Sequence, residues 1–406
     1  NGVSVFFALT LFFSAFLVFA CEPMIGKMVL PSLGGAPSVW TTCVLFFQAI
    51  LLAGYGYTYL LEKAGGLRTQ LILHLTLMVA GVAFLPIHFD SSDTSDAAAM
   101  HPILWLLARL FGNAAIPFGV AVSSAPLLQN WLSKISGPQA RDPYFLYAAS
   151  NAGSLVGLLA YPLFVEPRLG LIRQSSAWSR GYLLLLSTIA ISAIIAWRRE
   201  RPPSPEVRGD SVEGTKPTRR RRCFWLAAAF VPSALMLAVT NHISANLVAA
   251  PFLWVIPLGV YLLTFMLAFS RRTRLTVERV SRFVPVIFLL SVYVTVGAPI
   301  PAALIWIVLP AHIAILFSGA LLCHTALAAS RPDPRYLTEF YFWLALGGAL
   351  AGVFAVVVAP AMFSTVFEYP LLIATLGFFR ASPDATQRQS RADWIYVASI
   401  AMLLIL

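Results

Sequence analysis

Apolar runs of bilayer length, repeated along almost the whole chain, constrain this sequence more than any other feature. A hydrocarbon core about 30 Å thick is crossed by a helix of roughly 20 apolar residues. Runs that satisfy this ruler fall near residues 3–21, 39–61, 69–88, 102–127, 143–165 and 177–197. A second set falls near 223–241, 250–270, 283–299, 302–328, 336–358 and 361–379, and a further run starts near 393. Of the 406 residues, 59% are hydrophobic and 11% charged, against about 45–50% and 25% in soluble domains. A water-soluble globule could not hide so much apolar surface. The chain therefore reads as an all-α, polytopic membrane protein solvated by lipid.

The stretch between the two sets, "RRERPPSPEVRGDSVEGTKPTRRRR", is rich in Pro, Gly and charge, a composition that cannot bury a core. This divides the chain into an N-terminal six-helix half (1–197), a disordered basic linker (198–222), a C-terminal six-helix half (223–379) and, from 380 to 406, a loop and the start of an additional helix. The chain begins with Asn and stops inside "WIYVASIAMLLIL", so it is expected to be part of a longer protein. Residues 3–20 resemble a signal h-region, but no small-x-small cleavage site follows, and they are read as a retained first helix.

The net charge of +11 marks topology rather than a nucleic-acid partner, because the cations cluster in short loops between apolar runs. "EKAGGLR", "SKISGPQAR", the linker, "RRTRLTVERVSR" and "RPDPR" fall on one face if the N-terminus is cytoplasmic. The opposite loops, "HFDSSDTSD" and residues 241–250, carry no Lys or Arg; only "EPRLGLIR" breaks the bias. A bacterial inner membrane with the N-terminus inside is the expected setting.

Each half carries the same two signatures. "LGGAPSVW" (33–40) matches "LVAAPFLW" (247–254), and "FLYAASNAGSLVGLLA" (145–160) matches "FYFWLALGGALAGVFA" (340–355), each of the latter pair closely following an Asp-Pro. Equivalent helices then run the same way, which is the parallel repeat of the two major-facilitator halves.

Ionisable groups at membrane depth are costly and so are candidate site residues: Glu22, Lys27, Arg109, Glu166, His242, His312, His324, Glu339 and Glu368. Glu22, Glu166, His242 and Glu368 are placed towards the outer side, with Lys27 available to neutralise one carboxylate; separate interfacial charges are the simpler alternative. Glu22, His242 and Glu368, with Ser150 and Asn151 from "SNAGS", form the expected substrate-binding set for a cation. Ser154 and Gln48 are further polar groups within spans. His324 and Glu339 sit at opposite ends of two helices, where the helix dipoles stabilise them; with Arg331 and Arg335 they are an alternative gating network. "EPMIGKMVLPSLGGAP" (22–37) reads as broken by its Pro and Gly residues. Gly153-x-x-x-Gly157 and Gly348-x-x-x-Gly352 are close-packing faces.

No Walker A loop, GxSxG, HExxH or dinucleotide glycine motif is present in the sequence, and no catalytic residue or cofactor is assigned. Cys21, Cys43, Cys223 and Cys323 are scattered, without metal-ligand spacing.

The stretches 22–57, 123–132, 142–163, 239–269 and 323–371, the last containing "CHTALAASRPDPRYLTEFYFWLALGGALAGVF", resemble the membrane region of the bacterial fused major-facilitator/spermidine-synthase proteins. The resemblance implies a major-facilitator-like domain of twelve or more helices, often followed by a soluble aminopropyltransferase-like domain that these residues do not include. Two departures stand out: Thr325 and Ala326 where the family places an acidic residue, and Ala355 where it often has Asn. The general facilitator loop signature is met only in part, by Glu62-Lys63-Ala64-Gly65, with Thr58 in place of its first glycine. Two functions follow as expectations. One is a carrier of polyamines or another small cationic metabolite. The other is a non-transporting scaffold or accessory subunit that anchors a soluble synthase-like domain or joins a larger membrane complex. A membrane-embedded transferase using His242 is a third, carried by the family name alone.

Overall fold

The computed structural model describes residues 2–33, 37–89, 101–135, 144–200, 216–246, 254–270, 275–287, 289–290, 305–332, 336–363 and 367–380. The described residues are helical, with no strand among them. They fall into two compact units, Asn1–Lys216 and Pro217–Leu406.

In the first unit α1 is Gly2–Leu33, α2 Pro37–Ala64, α3 Leu67–Gly81, α4 Pro102–Ile135, α5 Tyr144–Ala160 and α6 Leu171–Arg198. In the second, α7 is Arg219–Asn246, α8 Val255–Phe269, α9 Val277–Ser281, α10 Ile305–Ala329, α11 Leu337–Val353 and α12 Glu368–Thr375. Eight helices among the described residues are long and apolar enough to cross a bilayer. Helices α8 and the α12 segment 368–379 are shorter apolar helices. Most of the run expected at 283–299, and the one from 393, lie outside the described residues.

Four of the boundaries that differ from the sequence reading have a local reason. Helix α1 runs unbroken through Pro23 to Leu33; prolines are tolerated inside membrane helices because neighbouring groups can satisfy the freed carbonyl. Residues 219–222, expected in the linker, form the first turn of α7, where the Thr218 hydroxyl accepts the Arg221 backbone N–H at 3.3 Å and so satisfies one otherwise open donor. Helices α5 and α11 both pass through a π turn, Tyr161–Val165 and Phe354–Val358, and continue to Arg168 and Met362. Pro167 and Pro360 each lie two residues beyond the π turn. The wider turn gives the proline ring room against the preceding turn, where its missing N–H would otherwise leave a defect.

Within each unit the same pairs pack: α1 on α5 and α7 on α11, α2 on α4 and α8 on α10, α1 on α4 and α7 on α10. Glycines make the first pairing possible. A methyl group on Gly153 or Gly157 would collide with the backbone carbonyls of Phe12 and Phe16. One on Gly347 would stand 2.7 Å from the Leu226 carbonyl and 3.0 Å from the Phe230 nitrogen. Phe12 and Leu226 are 214 positions apart, as are Phe16 and Phe230, and so are Trp40 and Trp254 in the repeated signature.

Two buried aromatic side chains of α6 find backbone partners. Trp178 Nε1 donates to the Leu17 carbonyl at 2.9 Å, and the Tyr182 hydroxyl to that of Met78 at 2.9 Å. Helices α3 and α6 present Ile72, Leu73, Val79, Leu184, Ile191 and Ile194 outward. In these two helices only 33% of the spanning window is buried, against 72% in α7, so α7 is the interior helix of its unit. Exposed apolar faces of this extent require lipid. The protein is a multi-pass membrane protein.

Candidate functional site

The polar interior of the second unit lies along α7, α8, α10 and α12. His242 near the end of α7, His312 near the start of α10 and Tyr369 in the first turn of α12 come together. The two imidazoles have centroids 4.6 Å apart, and His312 Nδ1 is 2.9 Å from the Tyr369 hydroxyl. His312 is fully buried, and its Nε2 has no partner among the described residues. Glu368 precedes Tyr369 in that same turn and is half-buried. Two residues of the expected substrate-binding set, His242 and Glu368, thus occupy one end of this unit. A cavity of about 250 Å³ in the same unit is lined by Ile243, Ile256, Pro257, Leu309, Pro310 and Ile313, of which Ile243 and Ile313 are the chain neighbours of His242 and His312.

Further along α10, His324 is fully buried between the rings of Tyr261 and Phe265, with centroids 4.9 and 4.7 Å away. Its Nδ1 lies 3.1 Å from Thr264 Oγ1, and the Tyr261 hydroxyl lies 3.2 Å from that of Ser233. His324 therefore bonds to α8 and not to Glu339, with which it was grouped as a gating element. Glu339, in the first turn of α11, pairs with Arg222 of α7 at 2.6 Å. Arg221 beside it donates to the carbonyls of Ser330 (3.0 Å) and Arg331 (2.9 Å), and Trp225 Nε1 donates to that of Ser330 at 3.0 Å. These carbonyls end α10, where helix acceptors are otherwise open. Arg331 lies over the Phe269 ring, 5.3 Å from its centroid. Arg335 lies outside the described residues.

In the first unit Lys27 forms an ion pair with Glu166, joining the end of α1 to the end of α5. Glu22 is half-buried one turn earlier. Ser150 and Asn151 are half-buried on α5, and the Ser154 hydroxyl is used within the helix, donating to the Ser150 carbonyl at 3.1 Å. Gln48 keeps a buried amide oxygen with no partner among the described residues.

A second polar cluster in this unit was missed by the sequence reading. His74 of α3 is fully buried, with Nε2 3.1 Å from Ser124 Oγ of α4. The rings of Trp131 and Tyr57 have centroids 5.9 and 6.3 Å from it. Its signal was a lone histidine within "LILHLTLMV". The Arg221–Trp225 clamp also went unread, because it depends on which helix ends meet. All four cysteines are free; Cys21, Cys43 and Cys323 are buried and Cys223 is exposed.

No protein-family description matches the sequence, and no curated protein does. Solved structures do match in fold. The chain is similar to the xylose transporter XylE from E. coli in its inward-open conformation, with a TM-score of 0.55 at 13% identity over 98% of both chains. A second XylE structure, described as a major facilitator superfamily proton:xylose symporter bound to 6-bromo-6-deoxy-D-glucose, matches at 0.50 and 13% identity, covering 99% of this chain and 95% of that one. The peptide transporter POT in complex with sulfate matches at 0.54 and 13% identity, over 98% and 93%. The all-α, multi-pass fold of this chain is major-facilitator-like.

Proposed function

We propose that the chain is a carrier domain that moves a small cationic or amphipathic metabolite across a bacterial cytoplasmic membrane, with a polyamine as the first substrate to test. The observation that carries this reading is the reach of the fold match: almost every residue aligns with transporters of two unlike solutes, a sugar and a peptide. The polyamine preference rests on the resemblance to the fused major-facilitator/spermidine-synthase proteins, to whose membrane region we assign the chain; a soluble synthase-like domain is then the expected covalent partner. The N-terminus and linker are placed in the cytoplasm by the loop cations. Glu22, Ser150 and Asn151 in the first unit and His242 and Glu368 in the second are the proposed substrate contacts. Glu339, with Arg222 replacing the earlier choice of His324 and Arg335, is the proposed gating pair.

Uptake of labelled spermidine into proteoliposomes tests the reading. Glu368→Gln should lower flux about tenfold, the scale of one lost charge-assisted hydrogen bond. Absence of flux from correctly oriented protein removes the polyamine as substrate. The apolar lining of the described cavity favours a second reading, a membrane anchor or accessory subunit. Stoichiometric co-purification of partner chains would support that one.

A further inference from the structure

A neutral imidazole carries one N–H and one bare nitrogen. Which is which can be read where the partner hydroxyl has already committed its single hydrogen. Thr264 Oγ1 also lies 2.8 Å from the Tyr261 carbonyl, which can only accept; with the hydroxyl hydrogen on that carbonyl, Thr264 is an acceptor towards His324, and we assign the donor to His324 Nδ1. Nε2 is then a bare lone pair, buried and without a partner among the described residues.

The same reasoning applies to His74. Ser124 Oγ donates to the Val120 carbonyl at 2.9 Å, His74 donates from Nε2, and Nδ1 is bare and unpartnered among the described residues. The surroundings differ, however. Near His74 lie open groups of both signs, the Trp131 Nε1–H, the Tyr57 hydroxyl and the Gln70 Oε1, and one bridging water can serve donors and acceptors together. Around His324 the neighbours are the Phe265 ring and a Tyr261 phenol already engaged with Ser233. The next open atom on α10, Thr325 Oγ1, projects about 100° further round the helix. The ring is fully buried, so the ligand that needs no room is a proton.

We propose that His324 Nε2 is the binding site of a coupling proton, and that the α8–α10 packing seen here is the state from which that proton has left. This rests on the carrier reading and names its coupling ion. The step is a proton transfer from hydronium to the Nε2 lone pair: one N–H bond forms, one O–H bond breaks, water leaves, and no electrons change hands. An imidazolium in the packed state would add a buried charge and a second N–H facing no acceptor, a cost of several kcal/mol. Proton binding and tight α8–α10 packing therefore exclude one another, and acid shifts the population towards a state in which His324 is hydrated.

No fixed charge obscures this linkage. Helices α7, α8 and α9 and the turn Leu376–Phe379 pack against α10. Helix α8 brings the Tyr261 phenol to the ring. Helix α7 carries Arg219 to Arg222 and Cys223 in its first turns, with Arg221 held by α10 carbonyls and Arg222 by Glu339, and His242 beside His312 at its far end. Glu278 and Arg279 of α9 and Arg282 after it are exposed, and Arg380 follows the Leu376–Phe379 turn. On α10 itself His312 lies twelve residues away, about 18 Å, and Cys323 is adjacent. Among the described residues none of these charged side chains makes a hydrogen bond, ion pair or ring contact with His324.

Cys323 reports on the opening. The full chain in lipid nanodiscs is treated with N-ethylmaleimide at about pH 7.5 and about pH 5.5, bracketing ordinary histidine titration. The modification rate of buried Cys323 is divided by that of exposed Cys223, which cancels the pH dependence of the reagent. The ratio should rise about fivefold or more in acid. His324→Asn, whose amide keeps a donor for Thr264 but cannot take a proton at these pH values, should give a flat ratio. A flat ratio in the native chain, or an equal rise in His324→Asn, overturns the proposal. If the variant does not fold, ¹⁵N-histidine NMR of the native chain decides: a doubly protonated His324 in acid supports the site, and a His324 singly protonated throughout removes it. Labelling needs no substrate, so acid opening without spermidine flux would leave the proton site standing and remove the polyamine as its substrate.

Discussion

The two units use one packing plan with different glue. Phe47 and Tyr261 lie 214 positions apart, the offset that relates Trp40 to Trp254 in the first repeated signature. In the first unit Phe47 meets Phe118 at 5.1 Å between ring centroids, and Phe46 and Phe111 extend the cluster. In the second unit Tyr261 meets His324 at 4.9 Å, with Thr264 bonded beneath the ring. In the α2–α4 seam these apolar rings pack by dispersion, which is non-directional and offers no site for a proton. The α8–α10 seam is held by directional bonds and leaves a nitrogen open. At this one pair of equivalent seams, apolar ring packing in the first unit stands where the second has a directional polar contact.

The sharpest way to break this comparison is at the glycines. Gly153→Leu drives a side chain into the Phe12 carbonyl, and Gly347→Leu into that of Leu226. Backbone cannot step aside as a rotamer can, so each should cost about 3 kcal/mol or more and abolish monodisperse protein in size-exclusion chromatography. Gly112, with nothing near its Cβ position, should accept Leu without loss. If Gly347→Leu behaves like Gly112→Leu, the α1–α5 and α7–α11 pairs are not equivalent.

Exchanging the seam residues comes next. Phe118→His places an unpartnered nitrogen among phenylalanines and should cost about 2–3 kcal/mol. His324→Phe removes an already orphaned nitrogen and leaves Thr264 bonded to the Tyr261 carbonyl, so it should change stability by about 1 kcal/mol at most. Thermal unfolding midpoints in the same detergent test the asymmetry. Equal losses would mean that the two seams do not differ as described.

How far each unit was legible follows from the same contrast. Apolar runs report directly on spanning helices, and the spans were readable because lipid imposes their length. Small residues at fixed spacing marked the α1–α5 contact at Gly153 and Gly157. In the second unit Gly347, next to the expected Gly348, touches α7; spacing of small residues does not tell which of two adjacent glycines makes a contact. His324 was singled out from sequence, but its partner was assigned from proximity along the chain. Thr264, sixty residues earlier, carries no mark that separates it from other threonines in apolar runs. The Arg222–Glu339 pair was hidden for a similar reason: four consecutive arginines read as topology, and nothing local tells which of them faces a carboxylate.

The ion pairs give a smaller, more equal comparison. Lys27 and Glu166 close the end of α1 on α5, and Arg222 and Glu339 the start of α7 on α11. Glu339 is the more buried carboxylate, with 14% of its side chain exposed against 21% for Glu166, while both cations are about a third exposed. Double-mutant cycles to Ala should therefore give a coupling of about 1 kcal/mol for Arg222–Glu339 and about 0.5 kcal/mol for Lys27–Glu166. The reverse order would show that burial of the carboxylate does not set the difference.

The smallest effect expected is at the indoles. Trp178 and Trp225 each donate to a backbone carbonyl, of Leu17 and Ser330 respectively. Leu17 lies inside α1, where helical bonding already serves its carbonyl, so Trp178→Phe should cost about 1 kcal/mol in any background. Ser330 lies just beyond the end of α10 and also receives two N–H groups from Arg221. Trp225→Phe alone should then cost about 0.5 kcal/mol, because the arginine still satisfies the acceptor. In an Arg221→Ala background the same change strips the carbonyl of its side-chain donors and should cost about 2 kcal/mol. Unfolding midpoints of the four combinations measure this non-additivity. Strictly additive costs would mean that Arg221 and Trp225 do not share the Ser330 carbonyl as a common support for the end of α10.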